Sequence, residues 1–317
     1  MHSFRKTLIR GVVLAGVATA WLVASGTASA APVKQAGHQA PAVKADDYAG
    51  KDTCLGCHED KGKALKDGAH ARAFNPKSPN ATQGCESCHG AGKAHAEAGG
   101  DKTKITIISK LGPAEASQIC VTCHAGNKHA FWAGSQHEGR KVGCTSCHSV
   151  HAPKGPKQLK AENEAALCAN CHKNITNKQN RFNHMPVREG KLSCSSCHNV
   201  HGSANVKLLK VGRTVNESCV SCHAEKRGPF LWEHMPVAEN CATCHDPHGS
   251  NNDRMLVAKQ PYLCQRCHVT SRHPPTVYDS FTLKTSNNAN KIYGRACVYC
   301  HAQIHGTNAP TGKALLR

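Results

Sequence analysis

The pentapeptide Cys-x-x-Cys-His occurs ten times in this 317-residue chain and uses every one of its 20 cysteines. The copies are Cys54, Cys57 and His58; Cys85, Cys88 and His89; Cys120, Cys123 and His124; Cys144, Cys147 and His148; Cys168, Cys171 and His172; Cys194, Cys197 and His198; Cys219, Cys222 and His223; Cys241, Cys244 and His245; Cys264, Cys267 and His268; and Cys297, Cys300 and His301. Two thiols followed directly by an imidazole form the attachment pattern of c-type haem. The thiols reach two vinyl groups while the imidazole reaches the iron. A structural zinc site wants four matched ligands, and a disulfide framework needs no histidine at a fixed offset, so neither explains the pattern. The chain is expected to carry ten covalent haem c groups.

Aromatic residues make up only 4% of the chain, too few for an ordinary side-chain core. The porphyrins must then supply the buried apolar surface, and the fold is expected to consist mostly of loops with short α-helices wrapped round the haems, with little or no β-sheet. Helical turns are expected at PAEASQIC (113–120), where proline suits a first helical position, and at KAENEAALC (160–168). The apolar run at 105–108 reads as a short strand or as packing against a haem, and 276–295 reads as a polar insertion.

Beneath the motifs lies a longer repeat. The motifs beginning at Cys54, Cys120, Cys168, Cys219 and Cys264 are each followed by a lone histidine: His70, His137, His184, His234 and His273. A second motif follows, and then a trailing histidine: His95, His151, His201, His248 and His305. This makes five copies of one two-haem unit spanning residues 48–317. Setting aside the motif histidines, His2 and His38 leaves one histidine more than ten distal positions need. His129 and His137 compete within one unit. The spacing from Cys120 selects His137, and His129 reads as a surface residue.

Only Met185, Met235 and Met255 lie beyond the amino-terminal Met1, too few thioethers for ten irons. Bis-histidine ligation is therefore expected, with irons that pass electrons and have no open position for a substrate. In CHSVH, CHNVH and CHDPH the second histidine lies three residues after the first, a reach of at most ~11 Å. It should serve a neighbouring haem, stapling successive macrocycles together.

Residues 1–30 carry Arg5, Lys6 and Arg10, an apolar run, and Ala28-Ser29-Ala30, the pattern of a secretory signal peptide. Residues 31–47 read as a flexible leader, and export places the remainder outside the cytoplasmic membrane. The formal charge of +19 would usually suggest nucleic acid. Twenty propionates, roughly −20 when ionised, nearly cancel the positive balance left after the signal is set aside. Nucleic-acid binding is not expected.

The runs CHAEKRGPFLWEHMPVAENCATCHDPHGS (222–250) and CVYCHAQIHGTNAPTGKALLR (297–317) resemble the periplasmic decahaem cytochromes of the MtrA, MtoA, PioA and DmsE type. The likeness runs through the chain beyond the signal. It implies a staggered chain of ten haems, described as two pentahaem halves. It also implies an outer-membrane location inside a β-barrel porin, with periplasmic or inner-membrane cytochromes on one side. On the other side it implies an extracellular multihaem cytochrome, iron or another metal, or an external sulfoxide reductase system. The direction, iron(II) oxidation or iron(III) reduction, stays open, with iron(II) oxidation favoured by the resemblance.

Physical size agrees with a conduit. A globule of this length has a radius of gyration of about 19 Å, so even a sphere approaches a bilayer of ~40–45 Å. Its polar loops cannot face lipid, so any crossing needs a protein sheath. A soluble periplasmic shuttle and a multihaem reductase are the other two readings. The reductase needs an open iron, which the ligand count does not leave.

Overall fold

Each of the ten motifs closes one helical turn. In every copy the histidine N–H donates to the carbonyl of the first cysteine, over 2.8–3.1 Å. Positions i, i+3 and i+4 of a turn share one face, so both thiols and the imidazole project together. Each motif thus presents its three side chains as one unit.

The computed structural model describes residues 44–66, 68–184, 187, 189–268 and 296–316, and the part from Lys44 onward forms one compact unit. The signal peptide, most of the leader, His38, Met185, His273 and all of the 276–295 insertion lie outside the described residues.

The first motif of each repeat sits on a helix: α1 (Lys51–Cys57), α2 (Pro113–Val121), α3 (Glu164–Ala169), α5 (Val215–Val220) and α6 (Tyr262–Gln265). Between α3 and α5 lies α4 (Lys173–Gln179). Pro113 takes the first position of α2, and the Glu115 carboxylate accepts from the Gly112 N–H before it. The third helix begins at Glu164 rather than at 160, because the Asn163 side chain accepts from Ala166 N–H and so marks the helix start. Thr214 and Glu217 form a reciprocal capping box at α5. The second motifs occupy single turns, such as Glu86–His89, Cys144–Cys147 and Cys194–Cys197.

No strand forms among the described residues. Isolated antiparallel bridges occur instead, among them His148 with Leu159, His198 with Leu209 and His245 with Leu256. Each joins a second-motif histidine to the chain returning after it. Residues 105–108 form no strand; Thr106 pairs its backbone with His89.

The buried apolar side chains among the described residues are Ala116, Leu159 and Leu209, while Phe74, Phe182 and Tyr262 are more than half exposed. So sparse a side-chain core among the described residues fits a fold built round prosthetic groups, as the composition requires. The two motifs of a repeat are joined by polar contacts. Glu86, itself buried, accepts from Ala49 N–H and Gly50 N–H just before α1, over 2.8 and 3.0 Å. The Cys144 N–H donates to Ser117 Oγ, Ser195 N–H to Glu164, and Cys241 N–H to Asn216 Oδ1.

Candidate haem-binding site

The motif imidazoles face other imidazoles in pairs. Ring centroids are 6.4 Å apart for His58 and His95, 6.0 Å for His70 and His124, 6.2 Å for His89 and His151, and 6.3 Å for His137 and His172. They are 6.1 Å apart for His148 and His201, 6.0 Å for His184 and His223, 6.1 Å for His198 and His248, 6.1 Å for His234 and His268, and 6.2 Å for His245 and His305. Two imidazoles bound to opposite faces of one metal, at metal–nitrogen distances of ~2.0 Å, place their ring centres about 6 Å apart. Every described pair therefore fits a single iron between its rings.

The pairs obey one rule. A lone histidine faces the first motif of the next repeat, as His137 faces His172. A trailing histidine faces the second motif of the preceding repeat, as His201 faces His148. At the amino-terminal end His95 turns back to His58 of its own repeat. His273 lies outside the described residues.

Backbone carbonyls fix several of these rings. His89 Nδ1 donates to Thr106 O, His148 Nδ1 to Lys157 O, His198 Nδ1 to Lys207 O, His245 Nδ1 to Arg254 O and His301 Nδ1 to Ala314 O, all over 2.7–2.9 Å. Since a carbonyl only accepts, the proton sits on Nδ1 and the Nε2 lone pair is left for a metal. Lys157, Lys207 and Arg254 hold positive φ values of 54–56°, a left-handed turn recurring nine residues after the motif histidine. Sequence reasoning missed these partners, because a backbone carbonyl leaves no residue signature. The signal available was the matched spacing of KGPKQLK, SANVKLLK and SNNDRMLV after the second motifs.

Burial pushes His70, His151, His201, His234, His248 and His305 below the usual imidazole range, with facing imidazoles or lysines adding to the effect in most cases; His201 reaches about 4. These rings are neutral at neutral pH, the form that ligates metal. His129 is not the surface residue its spacing suggested. It is half-buried, its ring 4.3 Å from His201 and 5.5 Å from His124, because the turn Asn127–His129 curls it back between them.

The thiols supply the order of the sites. Within each repeat the first cysteines are neighbours: Cys54 with Cys85, Cys120 with Cys144, Cys168 with Cys194, Cys219 with Cys241, and Cys264 with Cys297. Between repeats the second cysteines are neighbours: Cys88 with Cys123, Cys147 with Cys171, Cys197 with Cys222, and Cys244 with Cys267. All ten motifs are thus linked in chain order. Among the described residues no disulfide forms and no group of three or more metal-ligating side chains converges.

Over 274 residues the chain is 38% identical to the multiheme cytochrome MtrA of Shewanella baltica (strain OS185), an alignment covering 84% of this chain and 81% of that protein. The chain belongs to the MtrA family of multihaem c-type cytochromes. It is also 32% identical over 124 residues to the cytochrome c-type protein NrfB of Escherichia coli O6:H1, across 38% of this chain and 63% of that protein. The cytochrome c554 and c-prime family matches at residues 19–90. The doubled CXXCH motif family matches at residues 137–177, 184–228 and 234–273. Each of these three matches opens on a lone histidine and runs past the motif histidine it faces: His137 with His172, His184 with His223, His234 with His268. The MtrA-family chain therefore has a sequence unit that coincides with one imidazole pair. Its chemistry is electron transfer through covalently bound haem c.

Proposed function

We propose that this chain holds ten haems, each between two histidines, and carries electrons across the outer membrane inside a β-barrel porin, linking periplasmic carriers to extracellular iron. Haem bound at these sites supplies a one-electron ferric–ferrous couple. The thiols of all twenty motif cysteines would hold the macrocycles, and the motif histidines with His95, His151, His70, His201, His137, His248, His184, His305, His234 and His273 would ligate the irons. The unbroken order of thiol neighbours from Cys54 to Cys297 carries this reading. It supports a single file of redox sites with one entry and one exit.

No helix among the described residues is long and apolar enough to cross a membrane. Likeness to the MtrA family supports a periplasmic location, and the polar, loop-rich character of the described residues suits a chain sheathed by a barrel partner rather than one that faces lipid. Co-isolation from the host's outer membrane in mild detergent tests the partner. The expected result is a stable complex with a barrel protein in equal amounts. Recovery of the cytochrome only from the soluble periplasmic fraction would instead support a shuttle.

A further inference from the structure

Three successive repeats place different side chains directly after the second-motif histidine: Ser149, Asn199 and Asp246. All three support the turn that follows. Ser149 Oγ accepts from Ala152 N–H, Asn199 Oδ1 from His201 N–H, and Asp246 Oδ1 from His248 N–H over 3.0 Å. A neutral side chain therefore suffices for the turn. Asp246 adds a half-buried carboxylate where its counterparts add no charge, and half-burying a charge has a cost unless the charge is paired.

The carboxylate lies between two nitrogens. Its Oδ1 is 3.6 Å from His248 Nδ1, and its Oδ2 accepts from Lys178 Nζ over 2.6 Å. Lys178 belongs to α4 of the preceding repeat. His248 in turn faces His198, with the two ring planes 13° apart. The Nδ1 partners of His89, His95, His137, His148, His198 and His245 are backbone carbonyls. At 3.6 Å the carboxylate makes no hydrogen bond to Nδ1, but its negative charge beside the ring stabilises positive charge on the Nδ1–H side of the imidazole, which a neutral carbonyl does less strongly. The imidazole becomes a stronger donor to its metal, which favours the ferric state.

We infer that Asp246 is a positioning residue that tunes the iron shared by His198 and His248, setting its reduction potential below that of its counterpart at His148 and His201, while Lys178 limits the depth of the shift. The inference rests on the ligand pairing proposed above.

The test is spectropotentiometry of the haem-loaded protein with the variants Asp246→Asn and Lys178→Met. Asp246→Asn keeps the turn, as Asn199 does. It should raise the potential of one haem component by about 59 mV, a tenfold fall in its ferric-to-ferrous ratio at a fixed applied potential for a one-electron couple. Lys178→Met should move the same component downward. No shift in either variant, or shifts of one sign, would overturn the inference and leave the pair a purely structural tie between repeats. If Asp246→Asn fails to fold, the sign of the Lys178→Met shift decides alone. His248→Ala separates the underlying pairing: it should convert one haem to high spin, and a wholly low-spin spectrum would overturn the pairing itself.

Discussion

His137 faces His172 of the next repeat, with ring centroids 6.3 Å apart, and neither motif of its own repeat. Each repeat is therefore incomplete alone. In the inner repeats the lone histidine faces a motif of the next repeat and the trailing histidine a motif of the preceding one, as His201 faces His148, so the imidazole pairing also ties the repeats together.

His137→Ala should open the iron at the motif of Cys168, Cys171 and His172 and leave the irons of its own repeat intact. Electron paramagnetic resonance of the oxidised variant should gain a single high-spin haem, and carbon monoxide should bind the reduced variant there. His129→Ala should gain none, since His70 already faces His124 at 6.0 Å. High spin in the His129 variant with none in the His137 variant would reverse the assignment.

Ring planes separate six of the sites into two spectroscopic classes. His70 with His124, His137 with His172 and His184 with His223 are crossed at 67–82°, whereas His148 with His201, His198 with His248 and His245 with His305 lie within 18° of parallel. Crossed imidazoles leave the iron orbitals nearly degenerate and give low-spin signals with a large maximal g value. Parallel imidazoles give ordinary rhombic signals. Both classes should be present in the oxidised protein, and a single rhombic class would contradict the geometry.

The interlock between repeats passes through glycines. Gly202 and Gly249 hold φ at +113° and +118°, and a Cβ at either would overlap a backbone carbonyl of the preceding repeat, that of Phe131 or of Lys178. Gly249→Ala is expected to cost about 1–3 kcal/mol. Thermal unfolding of the haem-loaded variant should show a lower midpoint than wild type.

Glu164 gives the fold an acid dependence. Burial alone would raise its carboxyl, but bonds from the Ser195 hydroxyl and N–H, together with Ser193 and Lys157, outweigh burial and bring it down to about 2. A folded pKa below the unfolded value of ~4.3 gives stability that is present above that value and is lost as pH falls through the folded one. For a partly exposed group the contribution is on the order of 1 kcal/mol. Glu164→Gln should flatten the loss of stability between about pH 4.3 and pH 2, followed by circular dichroism.

How much of this was legible in the sequence depends on where the information resides. Covalent attachment is written in residue types at fixed offsets, so the haem fold and the sparse helices could be read directly. The short spacing in CHSVH and CHNVH also shows that a trailing histidine cannot reach round its own macrocycle. Which iron it reaches is a property of the packing, and no spacing encodes that His201 meets His148 rather than some other motif. The ties between paired motifs were invisible for another reason: Ser117, Glu164 and Asn216 do the same work with unlike side chains. The spacing that set His129 aside could not foresee that a tight turn would lay it against His201.

The central claim is that this chain conducts across a membrane only when sheathed. In liposomes holding a redox dye, with an impermeant reductant outside, the haem-loaded cytochrome together with its co-isolated barrel should reduce the trapped dye, and neither alone should. Reduction at an equal rate by the cytochrome without the barrel, or none by the intact complex, would contradict it.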